Sequence, residues 1–274
     1  MKFDLHVHST FSDGVKTPME LGKEAVAQGL AGFALTDHDT IDGWSEIPAV
    51  EKEYGITVFP GIEISTEALH RDVHVLGYLL KDVETMSKTL DYLRDSRCRR
   101  IEKMVERLRE LQIDISMEEV SLKAGEGTIG RPHVAAVLVD KGIVKDTQAA
   151  FSRFLERGKP AYVERARFLP TDAVSLIKEC GGYAVLAHPG LDSAFDFLDE
   201  LCDRGLDGLE VHHSSHTIAS SAKFAAAAEV RNLVATGGSD YHGHSEHLHG
   251  MIGSVGLEQG ELPYFFKDYL KERE

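Results

Sequence analysis

The sequence is poor in cysteine, has no excess of positive charge, and contains no long apolar run. Cys98, Cys180 and Cys202 are an odd number, widely spaced and without a CxxC pair. A disulfide framework is therefore not expected, and a reducing compartment suits the chain. Lys and Arg total 30 against 45 Asp and Glu, a formal net charge of −15. Such a chain lacks the basic footprint that duplex DNA or RNA demands, and anionic membranes repel it. Bound divalent cations would reverse that sign locally, which leaves small phosphorylated substrates open. No run of about 18 apolar residues occurs, and the start has neither a basic n-region nor an apolar h-region. These absences predict a soluble cytoplasmic protein with no membrane or duplex-DNA partner.

The chain has 274 residues, 42% of them hydrophobic, which suits a single α/β barrel with an insertion. Its opening, MKFDLHVHSTFSDG, sets Phe3, Leu5 and Val7 in alternation with Asp4, His6 and His8. This is the period-2 pattern of a strand, with both imidazoles projecting from one face. Two histidines at a strand end form a chelating pair for a borderline divalent metal, and Asp13 follows in a polar loop. Helical patterns begin at Thr17-Pro18 and cover Trp44 to Tyr54. Between and after them lie apolar runs near 32–36, 56–64 and 73–79 that carry His38, Glu63 and His74.

From about residue 82 to residue 160 the pattern changes. Residues 86–112 form one helical stretch in which Met104, Leu108 and Leu111 read as a core stripe, beside arginines that include Arg97 and Arg100. GRPHVAAVLVDKG predicts a second helix, and residues 147–155 a third. The expected organisation is thus residues 1–81 as the first part of a barrel, 82–160 as a helical insertion capping the substrate, and 161–274 as the second part. Strands near 183–188, 207–212 and 233–237 bring the count to seven, and an amphipathic helix is expected over the tail from Leu262.

Six of the seven strands finish in His, Asp or Glu: His6 with His8, then His38, Glu63, His74, His188, and Asp240 with His242. Parallel barrels build their chemistry where C-terminal strand ends converge. Imidazoles and carboxylates without a thiol suit Mn²⁺, Fe²⁺ or Zn²⁺. The ligands are too many for one ion, so two or three divalent ions are expected, with Glu63 or Asp240 bridging.

The runs DLHVHSTFSDG, LTDHD, GIEIS, HVLGY, LAHPG and GSDYH resemble the PHP (polymerase and histidinol phosphatase) metal-dependent phosphoesterases. Within that family the chain looks similar to stand-alone enzymes acting on nucleoside 3′,5′-bisphosphates and on short RNA from the 5′ end. GRPHVA and GKPAYV resemble theirs as well. The resemblance implies a distorted seven-stranded (β/α)7 barrel and a trinuclear centre. His6, His8, Glu63 and Asp240 would hold one ion, Asp13, His38 and His242 a second, and Glu63, His74 and His188 a third. Relatives that cleave histidinol phosphate tend to have a histidine where this chain has Asp13-Gly14, so histidinol phosphate, or a general phosphodiester, is the alternative substrate.

The expected reaction is attack on phosphorus by a hydroxide bridging two of the metals. Arg97, Arg100, Arg131, His133 and Lys159 are candidates for binding a second phosphate, a role for which arginine's planar fork is suited. The helix arginines read equally as a solvated face. His213 and His216, after the sixth strand, are candidates for the general acid, with His212 beside them. His244, His247 and His249 read as surface histidines.

Overall fold

Each apolar run becomes a strand and each amphipathic stretch a helix. The computed structural model describes residues 1–125, 129–164, 168–243 and 250–273. It divides into two units, Met1–Ser87 with Phe168–Glu274, and Lys88–Arg167.

In the first unit the strands are β1 (Lys2–Val7), β2 (Leu30–Leu35), β3 (Thr57–Ala68), β4 (Arg71–Tyr78), β5 (Tyr183–Leu186), β6 (Gly208–His213), β7 (Val234–Gly238) and β8 (Leu257–Glu258). Their order in the sheet is β7-β6-β5-β4-β3-β2-β1-β8. Seven match the expected strands. The eighth is a two-residue piece that pairs antiparallel with the start of β1, too short to leave a hydrophobic period in the sequence.

β1, β2 and β3 run parallel, as do β5, β6 and β7, but β4 is antiparallel to both neighbours. The connection from β3 to β4 is only a tight turn through Leu69 and His70, both at positive φ. So short a link permits a hairpin and excludes a crossover helix. The barrel is nearly closed by the chain after β7. The Asp240 amide donates to the His6 carbonyl and the His8 amide to the Tyr241 carbonyl, each at 2.9 Å. Closure depends on Gly238, where a Cβ would lie 2.4 Å from the Cβ of His6 and 2.5 Å from its amide nitrogen.

The helices of this unit are cut by recognisable signals. α1 (Pro18–Ala27) opens with Pro18 and a capping box in which Thr17 and Glu20 exchange backbone bonds, satisfying amides that would otherwise be orphaned. α2 (Ile47–Tyr54) ends at left-handed Gly55. Leu21 and Ala25 of α1 and Val50 of α2 bury against Val7, Phe33 and Leu35. A second apolar cluster joins Phe3, Leu5, Phe59 and Tyr78 to Phe265 and Phe266 near the C-terminus. Burying one such side chain fully contributes about 1.5–3 kcal/mol. β1 is buried on both faces, from Phe3 to Val7, the face that carries Asp4 and His6 included.

The second unit is helical. α3 (Val83–Glu110) starts just before it and supplies Ile101, Met104, Val105 and Leu108. They pack on Val120 of α4 (Met117–Ala124), on Val134 and Leu138 of α5 (Arg131–Asp140), and on Ala150 of α6 (Thr147–Ala150). Leu111 does not join them. The helix stops at Glu110, and Leu111 is 44% exposed. α7 (Pro170–Glu179), α8 (Leu198–Cys202), α9 (Ile218–Val230) and α10 (Tyr264–Lys271) return to the first unit.

Candidate metal centre

The strand ends converge as the topology requires. His6 of β1 and His8 just past its end, two apart, point the same way and are fully buried. His38 follows β2 and bridges to Glu63 of β3. His188 follows β5, and Asp240 and His242 follow β7. His74 needs a different explanation, because it lies in the first half of β4. That strand runs backwards, so its beginning lies where its neighbours finish, and His74 pairs with Ser65, two residues past Glu63.

Glu63 is the hub. One carboxylate oxygen, Oε1, lies 2.9 Å from His74 Nδ1 and 2.9 Å from His188 Nε2. The other, Oε2, lies 3.0 Å from His6 Nε2, 3.1 Å from His8 Nε2 and 3.3 Å from His38 Nδ1. Asp240 Oδ1 adds a second anion 3.1 Å from His8 Nε2 and 3.4 Å from His6 Nε2. Asp13 Oδ1 lies 3.2 Å from His242 Nε2, and Oδ2 lies 3.9 Å from His38 Nε2. All nine residues expected at the centre are thus brought together. Three sets of them gather ligand atoms within 4.8 Å of one another: His6, His8, Glu63 and Asp240; His8, Asp13, His38 and His242; and His38, Glu63 and His74.

A buried carboxylate is costly unless it is paired. Burial works to raise the Glu63 pKa, but the fields of His38, His6 and His74 outweigh it and hold the group well below the usual carboxylate range. Asp240 is likewise held low by His6, His213 and His8 against its own burial. Burial opposes charge on His8 too, yet Asp240 and Glu63 push its pKa up to about 10. For His38 burial prevails, and its pKa falls to about 4.

The donor set fits divalent cations, and two observations carry that test. The His6 ring faces a carboxylate at each nitrogen, Nδ1 3.0 Å from Glu210 Oε1 and Nε2 3.0 Å from Glu63 Oε2. A carboxylate accepts but cannot donate, so a neutral ring, with one proton, leaves a lone pair turned towards one of the two. Buried His8 likewise turns Nε2 to 3.1 Å from oxygens of both Glu63 and Asp240, without hydrogen-bond geometry to either. Lone pairs converging at such distances need a cation between them, either a proton or a metal ion. Asp39, His188 and Asp240 stand at positive φ of 53°, 23° and 56°, strain of about 1–3 kcal/mol each that surrounding structure must hold in place.

The remaining candidates divide. His213 Nε2 lies 3.4 Å from Asp240 Oδ2, while its Nδ1 accepts the Ser215 amide at 3.2 Å. His216 is used within the fold. Its Nδ1 donates to the Val211 carbonyl at 3.0 Å and its Nε2 accepts the Gly190 amide at 3.2 Å. His212 is exposed. Arg97, Arg100, Arg131, His133 and Lys159 belong to the second unit. There the Arg100 Nε donates to the Val163 carbonyl at 2.7 Å, His133 Nδ1 accepts the Gly130 amide at 3.0 Å to cap α5, Arg131 lies over the Phe151 ring, and Lys159 is exposed. His244, His247 and His249 lie outside the described residues.

Four buried carboxylates escaped the sequence reading, among them Asp39, which accepts the Ser65 amide at 3.0 Å. Asp37 accepts the Ser9 amide and the Ser9 and Ser12 hydroxyls, each at 2.7 Å, and so shapes the loop that carries Asp13. Asp4 accepts the Ser239 amide and hydroxyl at 2.9 and 2.6 Å, beside Asp240. Glu210 contacts His6. Asp4 and Glu210 left one signal, an acid set inside an apolar strand run (Phe3-Asp4-Leu5, Leu209-Glu210-Val211).

Residues 4–135 match the family model described as the PHP domain. The chain is 35% identical over 253 residues to a 3′,5′-nucleoside bisphosphate phosphatase of Chromobacterium violaceum, covering 89% of this chain and 88% of the relative. It is 35% identical over 250 residues to a 5′-3′ exoribonuclease of Haemophilus influenzae, covering 88% and 90%. A solved structure from Bifidobacterium adolescentis, assigned as a metal-dependent phosphoesterase, superposes with a TM-score of 0.76 at 31% identity, over 94% of this chain and 93% of its own.

Proposed function

The chain belongs to the PHP family of metal-dependent phosphoesterases, and on that premise we propose that it removes the 3′-phosphate of nucleoside 3′,5′-bisphosphates or acts on short 5′-phosphorylated RNA. The observation that carries the metal chemistry is Glu63, one buried carboxylate facing five imidazoles. In this reading His6, His8, Glu63 and Asp240 hold one ion. Asp13, His38 and His242 hold a second, and Glu63, His74 and His188 a third. When bound, divalent ions such as Mn²⁺, Fe²⁺ or Zn²⁺ would acidify a water and offset charge on the phosphoryl oxygens.

The chain's own groups do the rest. Glu63 divides its two oxygens between different histidine sets, so one side chain keeps neighbouring ions in register. Asp37 and Asp4, by bonding the backbone at Ser9 and Ser239, hold the segments that carry Asp13 and Asp240. Of the two candidate acids, His213 is the one whose Nε2 faces the cluster. Because its Nδ1 accepts from the Ser215 amide, the neutral ring carries its proton on Nε2, from which it can donate a hydrogen bond to an oxygen at the cluster.

Substrate choice rests on the two named relatives and on the loop at Asp13-Gly14. A Cβ at Gly14 would lie 2.5 Å from the His8 carbonyl oxygen. A histidine there, as in relatives that cleave histidinol phosphate, would displace the loop. The test is phosphate release by Mn²⁺-loaded protein from adenosine 3′,5′-bisphosphate, with histidinol phosphate and AMP alongside. Preference for the bisphosphate supports the proposal and makes Arg131 and Lys159 the next variants to examine for a second phosphate. Preference for histidinol phosphate overturns it.

A further inference from the structure

We infer that Glu210 is a positioning residue that aims two ligands of the metal centre at once, setting which nitrogen of His6 is free and holding the backbone of His188; this rests on the metal-centre reading above. Glu210 lies in the middle of β6 and is fully buried. Among the described residues no lysine or arginine forms an ion pair with it. Its partners come instead from two other strands. Oε1 lies 3.0 Å from His6 Nδ1, and Oε2 accepts the His188 amide at 2.7 Å.

Each contact has a directional consequence. With an ion held between Glu63 and Asp240, the first contact lets His6 donate from Nδ1 to Glu210 and present its Nε2 lone pair to that ion. The second holds His188 where its φ is 23°, a conformation that L-residues seldom adopt without an outside tether. From there His188 Nε2 reaches Glu63 Oε1 at 2.9 Å. Carboxylates behind metal-binding histidines commonly fix tautomer and ring orientation in this way. Here the same carboxylate also grips a second ligand through its main chain.

Local backbone geometry makes the arrangement possible. In a regular strand Glu210 and His213, three residues apart, would point to opposite faces. The pairing of β6 with β7 shifts register between Glu210 and His212. This β-bulge at Val211 turns both Glu210 and His213 inward. Ligand atoms of His6, Glu210 and His213 consequently lie within 4.8 Å of one another, so Glu210 could itself take an ion, and the experiment has to separate the two roles.

The substitution is Glu210→Gln in the full chain. An amide offers one acceptor where the carboxylate offers two, so either His6 or the His188 amide faces a donor. Two readouts apply: Zn²⁺ affinity and stoichiometry by titration calorimetry, and ¹⁵N-imidazole spectra of the Zn²⁺-loaded protein, with His6 assigned by its absence in His6→Asn. The expected result is unchanged stoichiometry, affinity weaker by about 10- to 100-fold, and a wild-type His6 proton on Nδ1 whose hydrogen-bonded shift is lost in E210Q. Unchanged affinity and spectrum would overturn the proposal, and loss of a whole equivalent of Zn²⁺ would make Glu210 a ligand instead. Should E210Q fail to fold, the wild-type spectrum decides, because a proton on Nε2 of His6 overturns the inference without any variant. Failure of the wild type to bind Zn²⁺ would sink the metal-centre reading itself, a different result from either of these.

Discussion

The two units of the chain spend their buried volume differently. The helical unit fills its interior with Ile101, Met104, Val105, Leu108, Val134 and Leu138, and several of its polar side chains serve the backbone. Arg100 and Arg107 donate to the carbonyls of Val163 and Tyr162, and His133 caps α5. The barrel unit also has apolar clusters, but it buries Asp4, His6, His8, Asp37, Glu63, His188, Glu210, His213 and Asp240 as well. Charged groups are rarely buried without compensating partners. The contrast separates a part stabilised by burial from a part whose interior is arranged for chemistry, at the cost of strained backbone and converging lone pairs.

The comparison can be broken or sharpened experimentally. The largest effect is expected from removing a member of the cluster. His38→Ala or Asp240→Ala should lower phosphoesterase turnover by more than about 10²-fold, at least the loss seen on removing one electrostatic stabiliser, while circular dichroism shows the fold retained. Wild-type turnover in either metal-loaded variant would remove the cluster from the reaction. Next comes Leu108→Ala in the helical unit, expected to cost about 2–5 kcal/mol in urea unfolding with Mn²⁺ stoichiometry unchanged. A change in stoichiometry would mean that the two regimes are not separable.

Gly238→Ala tests the closure of the barrel. With its Cβ forced against His6, it should destabilise the barrel by about 1–3 kcal/mol and weaken metal binding together. A stable variant with intact affinity would show that the strands part easily there.

A further set of expected effects is pH-dependent, with definite signs. In metal-stripped protein the folded pKa of His8 is raised from 6.5 to about 10. Its contribution to stability is complete below the unfolded value and is lost as pH rises through about 10. His38, lowered to about 4, acts in the opposite sense. The unfolded chain takes up its proton first, so stability falls as pH drops from 6.5 towards 4. Melting temperatures of the stripped protein should therefore decline on both sides of neutrality, and metal loading should flatten the alkaline limb, since a cation then replaces the proton. Equal alkaline slopes with and without metal would contradict that exchange.

Much of the candidate site was legible because strand periodicity is local. His6 and His8 share a face for the simple reason that side chains alternate, and His38, Glu63, His188, Asp240 and His242 each stand at or near the end of a recognisable apolar run. Glu210 and Asp4 were passed over because an acid inside an apolar run has no partner visible in sequence. Glu210 lies 204 residues from His6, and Asp4 lies 235 from Ser239. The stripe through Leu111 failed for a nearer reason, since helical spacing was extended past the point where the helix stops.

Residue order and alternation by themselves determined the α/β class, the run of seven principal strands, the acidic and thiol-free character of the site, and the donor types offered at strand ends. Tertiary structure decided what depends on direction and on long-range partners. The β3–β4 hairpin reverses β4 and so delivers His74 from the beginning of a strand to the end where the others finish. The bulge at Val211 turns Glu210 and His213 the same way. The carboxylate behind the His6 ring comes from Glu210, 204 residues away. Local pattern fixes which face a side chain takes, but only the nearly closed barrel brings His6, His8 and Asp13 to between 3.1 and 3.4 Å of Asp240 and His242 from the far end of the chain, where converging lone pairs need a cation between them.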